Sequence, residues 1–308
     1  MMSGNKTLVT EFILLGLTHS HKEEIILFWT FLIFYLITLG GNLVIIVSTI
    51  LFSCFNSPMY FFLCNLSIMD ICFTSTTVPK MLMNFMVQVK TISFVGCIAQ
   101  LYSFIALAGA ECLLLTVMAY DRYVAICKPL HYTTIMNRRV CLLLMAMSWV
   151  FACLNSMVQT VFTFHLPFCG SNQVNHFFCD IPPILKLACA DTHVNEIVLY
   201  SSGGSVIMGS FLFIMLSYIY IIIAIIKIRS VNGRLKAFST CASHLSIVGL
   251  YFGPGSFTYL RPTSNYSLDR DRLLPVLYGI FVPMLNPIIY SLRNREIVGA
   301  LRKMTGKL

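Results

Sequence analysis

The sequence predicts an all-α membrane protein, a seven-transmembrane helix bundle with its N-terminus outside. Three observations carry this. Seven long apolar stretches, nearly free of charge, fill the 308 residues, and a helix crosses a bilayer with about 20 mostly apolar residues. Hydrophobic residues make up 57% and charged residues 11%, against about 45–50% and about 25% in soluble domains. So few charges cannot coat a soluble surface. The basic residues, finally, gather on one side of the predicted bundle.

In chain order the predicted spans are Ile25–Phe52, Met59–Val87, Cys97–Ile126, Cys141–Phe164, Glu196–Arg229, Leu235–Leu260 and Leu273–Leu292. Segments after spans one, three, five and seven share a side. That side holds 13 of the 21 Lys and Arg, with only Asp121 and Glu296 against them. Its net charge is +11, whereas 8 basic and 8 acidic residues balance on the other side. Cytoplasmic loops carry the Lys/Arg excess, so the C-terminus is inside. One domain results: residues 1–24 form an extracellular tail, 25–292 the bundle and 293–308 a cytoplasmic tail. The charge sits in short loops between spans, which argues for topology and against a nucleic-acid partner.

Phe12–Leu17 is too short, and follows acidic Glu11 too closely, for a cleavable signal. Span one is the expected uncleaved anchor. Asn5-Lys6-Thr7 offers a glycosylation acceptor on the outer tail, and Asn265-Tyr266-Ser267 a second in the last outer loop. Of 12 cysteines, Cys97, Cys169, Cys179 and Cys189 fall on the oxidising outer side. Four cysteines allow three pairings, and sequence alone leaves the choice open. No close C-x-x-C spacing suggests zinc. The longest loop, Leu166–Val194, is proline-rich, cysteine-rich and aromatic, as suits a packed lid. The inner loops leave no room for a catalytic domain, so no enzyme is expected.

Ionisable groups inside spans are costly and point to function. Asp70 and Glu111 lie near mid-span, at the depth of Asn42 and Asn286. Two carboxylates there repel unless something positive lies between them. Either a small cation such as Na+ does so, or one or both are protonated and hydrogen-bonded; no other cofactor is required. Asp121-Arg122-Tyr123 ends span three at the inner border, where an acid–base pair can close on itself or release Arg122 to another helix or a partner. Pro287 and Pro254 each remove a backbone hydrogen bond and bend their spans.

Several strings occur in fixed order: Pro58-Met-Tyr-Phe-Phe-Leu63 with Leu66, Ser67 and Asp70; Met118-Ala-Tyr-Asp-Arg-Tyr-Val-Ala-Ile-Cys127; Ser217-Tyr218; Lys236-Ala-Phe-Ser-Thr-Cys-Ala-Ser-His-Leu245; and Pro283-Met-Leu-Asn-Pro-Ile-Ile-Tyr-Ser-Leu-Arg-Asn294. Through them the chain resembles the rhodopsin-like G-protein-coupled receptors, and within these the olfactory (odorant) receptors of the tetrapod-type branch. The resemblance runs from near residue 7 to near residue 303. It implies a plasma-membrane receptor that binds a small volatile odorant and couples to the olfactory stimulatory heterotrimeric G protein, raising cyclic AMP. It implies disulfides Cys97–Cys179 and Cys169–Cys189, and an internal sodium site at Asp70 and Glu111. The implied activation switches are Asp121, Arg122, Tyr123, Tyr218, His244, Asn286, Pro287 and Tyr290. A short amphipathic helix, Arg293–Lys303, would lie along the inner membrane face.

The resemblance also implies a pocket between the outer halves of the spans. Span three would offer Phe104, Ile105, Ala108, Gly109 and Cys112, and span four Ser156 and Gln159. Span five would add Leu199, Ser202, Gly203 and Val206. Phe252, Gly255 and Tyr259 would come from span six, Val276 and Gly279 from span seven. Where the family commonly reads Phe-Tyr-Gly, this chain reads Tyr251-Phe252-Gly253, so the hydroxyl expected at the pocket floor is missing at 252. A retinal protein is excluded because Leu273–Leu292 contains no lysine for a Schiff base. A membrane ion or solute transporter or channel is the alternative, but only Asp70 and Glu111 are charged deep in the spans and no polar path accompanies them.

Overall fold

A computed structural model of the chain describes residues 9–18, 20–51, 57–169, 171–260 and 272–292. Its long helices are α1 (His21–Leu51), α2 (Pro58–Met86), α3 (Phe94–Cys127), α4 (Arg138–Phe164), α5 (His193–Ile226) and α6 (Val231–Tyr259). The last, α7, joins Leu274–Val276, Leu277–Phe281 and Val282–Leu292 end to end. Five of these, α1 to α5, are long and apolar enough to cross a membrane. The inner half of α6 is diluted by Arg234, Ser239, Thr240, Ser243 and His244, and α7 is apolar but shorter. Asn5, Asn265 and the expected helix Arg293–Lys303 lie outside the described residues.

Local chemistry starts the helices. Ser93 Oγ accepts from the Gly96 N–H at 3.1 Å, and Asn137 Oδ1 from the Val140 N–H at 3.1 Å. Each satisfies a donor that the first helical turn would leave unpaired. Pro58 opens α2, where its missing N–H costs nothing. The centre of the bundle is α3, packed against α2, α4 and α5, while α1 leans on α2 and α7. From α1 only Phe31, Thr38, Asn42, Ile45 and Ser48 are buried, and Ile25, Ile26, Trp29, Ile33 and Leu36 face outward. An apolar outer face of this kind suits lipid rather than water.

The all-α expectation needs one correction. A small sheet caps the outer end: Glu11–Leu14 (β1) pairs antiparallel with Thr91–Ser93 (β2) and parallel with Gln173–Val174 (β3), in the order β2-β1-β3. Phe12 and Leu14 are fully buried and Ile13 is not, the period-2 alternation of a half-buried strand. Phe12 stacks on Phe94 at 5.8 Å between ring centroids and meets Phe168 edge-on at 5.7 Å. Gly16 turns the chain out of β1 at φ +77°, a conformation that favours glycine. Lys90 pairs with Glu24 beside it. Disulfides join Cys97 to Cys179 and Cys169 to Cys189, with Cα–Cα distances of 5.6 and 5.8 Å.

Candidate functional site

An apolar cavity lies under this cap. About 640 Å³ of space, mouth included, separates its walls. Of the predicted pocket residues, Phe104, Ile105, Ala108, Gly109 and Cys112 line it from α3, and Gln159 from α4. Leu199, Gly203 and Val206 line it from α5, and Phe252, Gly255 and Tyr259 from α6. Four others sit elsewhere. Ser156 is buried with its hydroxyl on the Tyr102 carbonyl at 2.6 Å. Ser202 turns back to the Val198 carbonyl at 2.7 Å. Val276 and Gly279 stand behind the wall; a Cβ on Gly279 would meet Phe104 Cε2 at 3.9 Å.

Five lining residues escaped the sequence reading: Asn155, Ile181, Ile207, Tyr251 and Tyr278. Ile181 belongs to the long outer loop and closes the roof. Tyr278 reaches the wall because Leu277–Phe281 forms a π-helical turn; Leu199–Gly203 makes another in α5. An extra residue per turn shifts the face a helix presents, often at a functional site. The hydroxyl absent at 252 is present on the neighbouring residue, where it is committed to the backbone. Tyr251 and Phe252 both line the cavity, and Tyr251 Oη donates to the Ala108 carbonyl at 3.0 Å.

The roof is held by a buried polar chain. Asp180 Oδ1 accepts from the Ile181 N–H at 2.8 Å and from Tyr259 Oη at 3.0 Å, and Tyr278 Oη donates to Tyr259 Oη at 3.2 Å. Burial pushes the Asp180 carboxyl up to about 6, although these two donors favour its ionised form. Above it His176 is wholly buried between Phe177 and Phe178, at 4.8 and 4.6 Å between centroids. Burial, and then Arg272, push its imidazole down to about 3.

Deeper in, both Asp70 oxygens accept from Asn286 Nδ2 at 3.0 Å. Neither Glu111 oxygen has a hydrogen-bond partner among the described residues, although Glu111 is fully buried. Unsatisfied carboxyl oxygens beside a second buried carboxyl are a donor set that fits a small hard cation. Asn42 is committed elsewhere, with Nδ2 on the Thr38 and Pro283 carbonyls at 3.0 and 3.1 Å. Next to it, Gly41 faces the Pro287 ring so closely that a Cβ there would lie 2.8 Å from Cγ.

A second cavity opens at the inner end, lined by Ser57, Met59, Asp121, Arg122, Tyr132 and Thr240 among others, with about 900 Å³ between its walls. Of the two arrangements open to Asp121 and Arg122, the local ion pair is not made among the described residues, and Arg122 meets another helix. Asp121 Oδ1 accepts from Tyr132 Oη at 2.8 Å, while Arg122 Nη1 donates to the Thr240 carbonyl of α6 at 2.8 Å. The inner loop and α6 thus divide a pair that adjacency suggested. Tyr123 lies apart from both bonds, its ring edge-on to Tyr220 at 6.1 Å. Tyr218 Oη lies 3.0 Å from His244 Nδ1, and His244 Nε2 lies 3.1 Å from the Leu115 carbonyl. A carbonyl only accepts, so Nε2 carries the proton and Nδ1 accepts from Tyr218. Tyr290 Oη is buried with no hydrogen-bond partner among the described residues.

A family model described as olfactory receptor matches residues 31–307. The chain is 50% identical over 303 residues to olfactory receptor 5AR1 of Mus musculus, covering 98% of each. It is 48% identical over 303 residues to olfactory receptor 5AR1 of Homo sapiens, again covering 98% of each. Olfactory receptor 1F1 of Homo sapiens is 48% identical over 308 residues, which is 100% of this chain and 99% of that one.

Proposed function

Because the chain belongs to the olfactory receptor family, a family of membrane receptors rather than enzymes, we propose that it binds a small volatile odorant in the outer cavity and thereby activates the olfactory stimulatory G protein, raising cyclic AMP. One observation carries this reading: α3 and α6 each line both cavities. Outer contacts come from Phe104 to Cys112 and from Tyr251 to Tyr259, inner ones from Asp121 to Ile126 and from Gly233 to Thr240. A ligand wedged between these helices outside changes their spacing inside. It shifts the balance of states by its difference in affinity for them.

The same reading assigns the remaining parts. All seven long helices cross the plasma membrane in one domain, with residues 1–24 outside, 25–292 as the bundle and 293–308 in the cytosol. Asn5 carries a glycan. Arg122 clasps α6 at Thr240 in the resting state and, once α6 moves and the inner cavity opens, engages the G protein. Tyr218, His244, Asn286, Pro287 and Tyr290 form the hinge between the cavities. Asp70 and Glu111 would hold a Na+, whose single charge would offset one of their two negative charges and favour the resting state. A cyclic-AMP reporter in cells with verified surface receptor, screened against a broad odorant panel, tests the reading. Silence across the panel would overturn it.

A further inference from the structure

The odorant cavity is apolar except for a few groups, and their hydrogen-bond commitments differ. Tyr251 Oη gives its proton to the Ala108 carbonyl, Tyr259 Oη to Asp180, and Tyr278 Oη to Tyr259. These three hydroxyl protons are taken within the protein. Two polar lining groups remain, the carboxamides of Asn155 and Gln159, one helical turn apart on α4. Neither side chain makes a hydrogen bond among the described residues. Asn155 is half-buried and Gln159 nearly fully so. An amide taken from water without a partner is unfavourable, and here two adjacent ones face the same space.

Gly203 keeps that space open. A Cβ there would lie 2.6 Å from Gln159 Nε2, so only glycine leaves the amide its position at the wall. No Asp, Glu, Lys, Arg or His lines the cavity among the described residues. The polar pole is therefore uncharged, supplies two NH2 groups with four N–H donors and two carbonyl acceptors side by side, and belongs to an otherwise mostly apolar wall.

We propose that Asn155 and Gln159 are the specificity-determining pair of this receptor, selecting neutral oxygenated odorants over hydrocarbons and carboxylates of the same skeleton. Ketones, esters, lactones and alcohols are the classes meant. The ligand oxygen lies against the α4 amides while its carbon skeleton fills the space toward Phe104, Leu199 and Phe252. A carboxylate finds no countercharge here, and a hydrocarbon leaves both amides unpaired. This rests on the odorant-receptor reading above.

The test uses the full-length receptor in the reporter cells, with an epitope count of surface receptor. The panel holds ketones, esters, lactones and alcohols of about eight to ten carbons, the hydrocarbons of the same skeletons, and the corresponding acids. Wild type should respond to oxygenated members at concentrations at least about tenfold below the others. Asn155→Leu and Gln159→Met should each weaken those agonists by about three- to tenfold, the span of one neutral hydrogen bond, and leave hydrocarbon responses level or stronger. Where either variant fails to reach the surface, Asn155→Ser and Gln159→Ala are read by the same criterion. Equal loss toward every class would mean that the amides only support packing, and no loss that they do not touch the ligand. Potent agonism by hydrocarbons or acids alone would also overturn the proposal while leaving the receptor reading intact. Silence to the whole panel would overturn that reading first.

Discussion

Gly40 and Gly41 are neighbours in α1, and the same substitution should have opposite effects at the two. At Gly40 an added Cβ meets nothing within 4 Å. At Gly41 it would lie 2.8 Å from Cγ and 3.1 Å from Cβ of the Pro287 ring. Real Cβ atoms do not approach so closely, and a proline ring within a helix cannot rotate away as a flexible side chain can. Replacing a helical glycine by alanine gains roughly 0.5–1 kcal/mol. Gly40→Ala should keep that gain. At Gly41 the overlap costs about 1–3 kcal/mol, as overpacking does, because α1 must move from α7. The two variants should therefore differ by about 1–3 kcal/mol, with Gly41→Ala the weaker. By the scaling for large soluble domains, about 2–4 °C per kcal/mol, their unfolding midpoints in nanodiscs should part by several degrees. The contact lies one residue from Asn42, which bonds the Pro283 carbonyl, and from Asn286, which bonds Asp70. Basal cyclic AMP at equal surface level should accordingly change in Gly41→Ala and not in Gly40→Ala. Equal midpoints for the two would refute the close-packing argument.

Arg122→Ala should reach the surface normally yet lose most cyclic-AMP output, because the guanidinium that leaves the Thr240 carbonyl when α6 moves is the group that then engages the G protein; full signalling at equal surface level would exclude Arg122 from the switch. Asp70→Ala or Glu111→Ala should abolish any sodium dependence of agonist potency, and a wild-type potency indifferent to sodium at fixed osmolarity would favour protonated carboxyls. Peptide mapping without reduction should recover Cys97 linked to Cys179 and Cys169 linked to Cys189, and free thiols at these positions would contradict both bridges. The roof should show offsetting pH effects. Asp180, raised to about 6, binds a proton in the folded state first, so it stabilises the cap as pH falls from about 6 toward 4. His176, lowered to about 3, stays neutral when folded, so its contribution is full above about 6.5 and is lost as pH falls below that value. Hydrogen exchange in the cap should thus vary little over that window in wild type. In Asp180→Asn, protection should fall as the solution is acidified, and a flat profile in that variant would remove His176 from the account.

Long apolar runs and lopsided charge are legible in a sequence because the membrane imposes them on each helix separately. The resemblance to a receptor family pointed to Phe104, Ile105, Ala108, Gly109 and Cys112 of α3, and these share one helical stripe along the outer cavity. Reading failed where the helix departs from its period or where a distant segment intrudes. Tyr278 reaches the cavity through a π-helical turn, and Ile181 through a loop folded back by the Cys97–Cys179 bridge. Ser156 and Ser202 look like pocket hydroxyls in sequence, but each is committed to a backbone carbonyl.

Membership of the family, the apolar class of the helices and the placement of acids at mid-span followed from the sequence by itself, because they depend on residue type and local spacing. Only the tertiary structure decided which partner each polar group holds. Arg122 stands beside Asp121 in the chain and bonds Thr240 instead, 118 residues away. Asp180 and Tyr259, 79 residues apart, meet over the cavity. Hydrogen bonds act over about 3 Å, so sequence neighbours need not be partners, and the packing of the helices sets which groups come within reach.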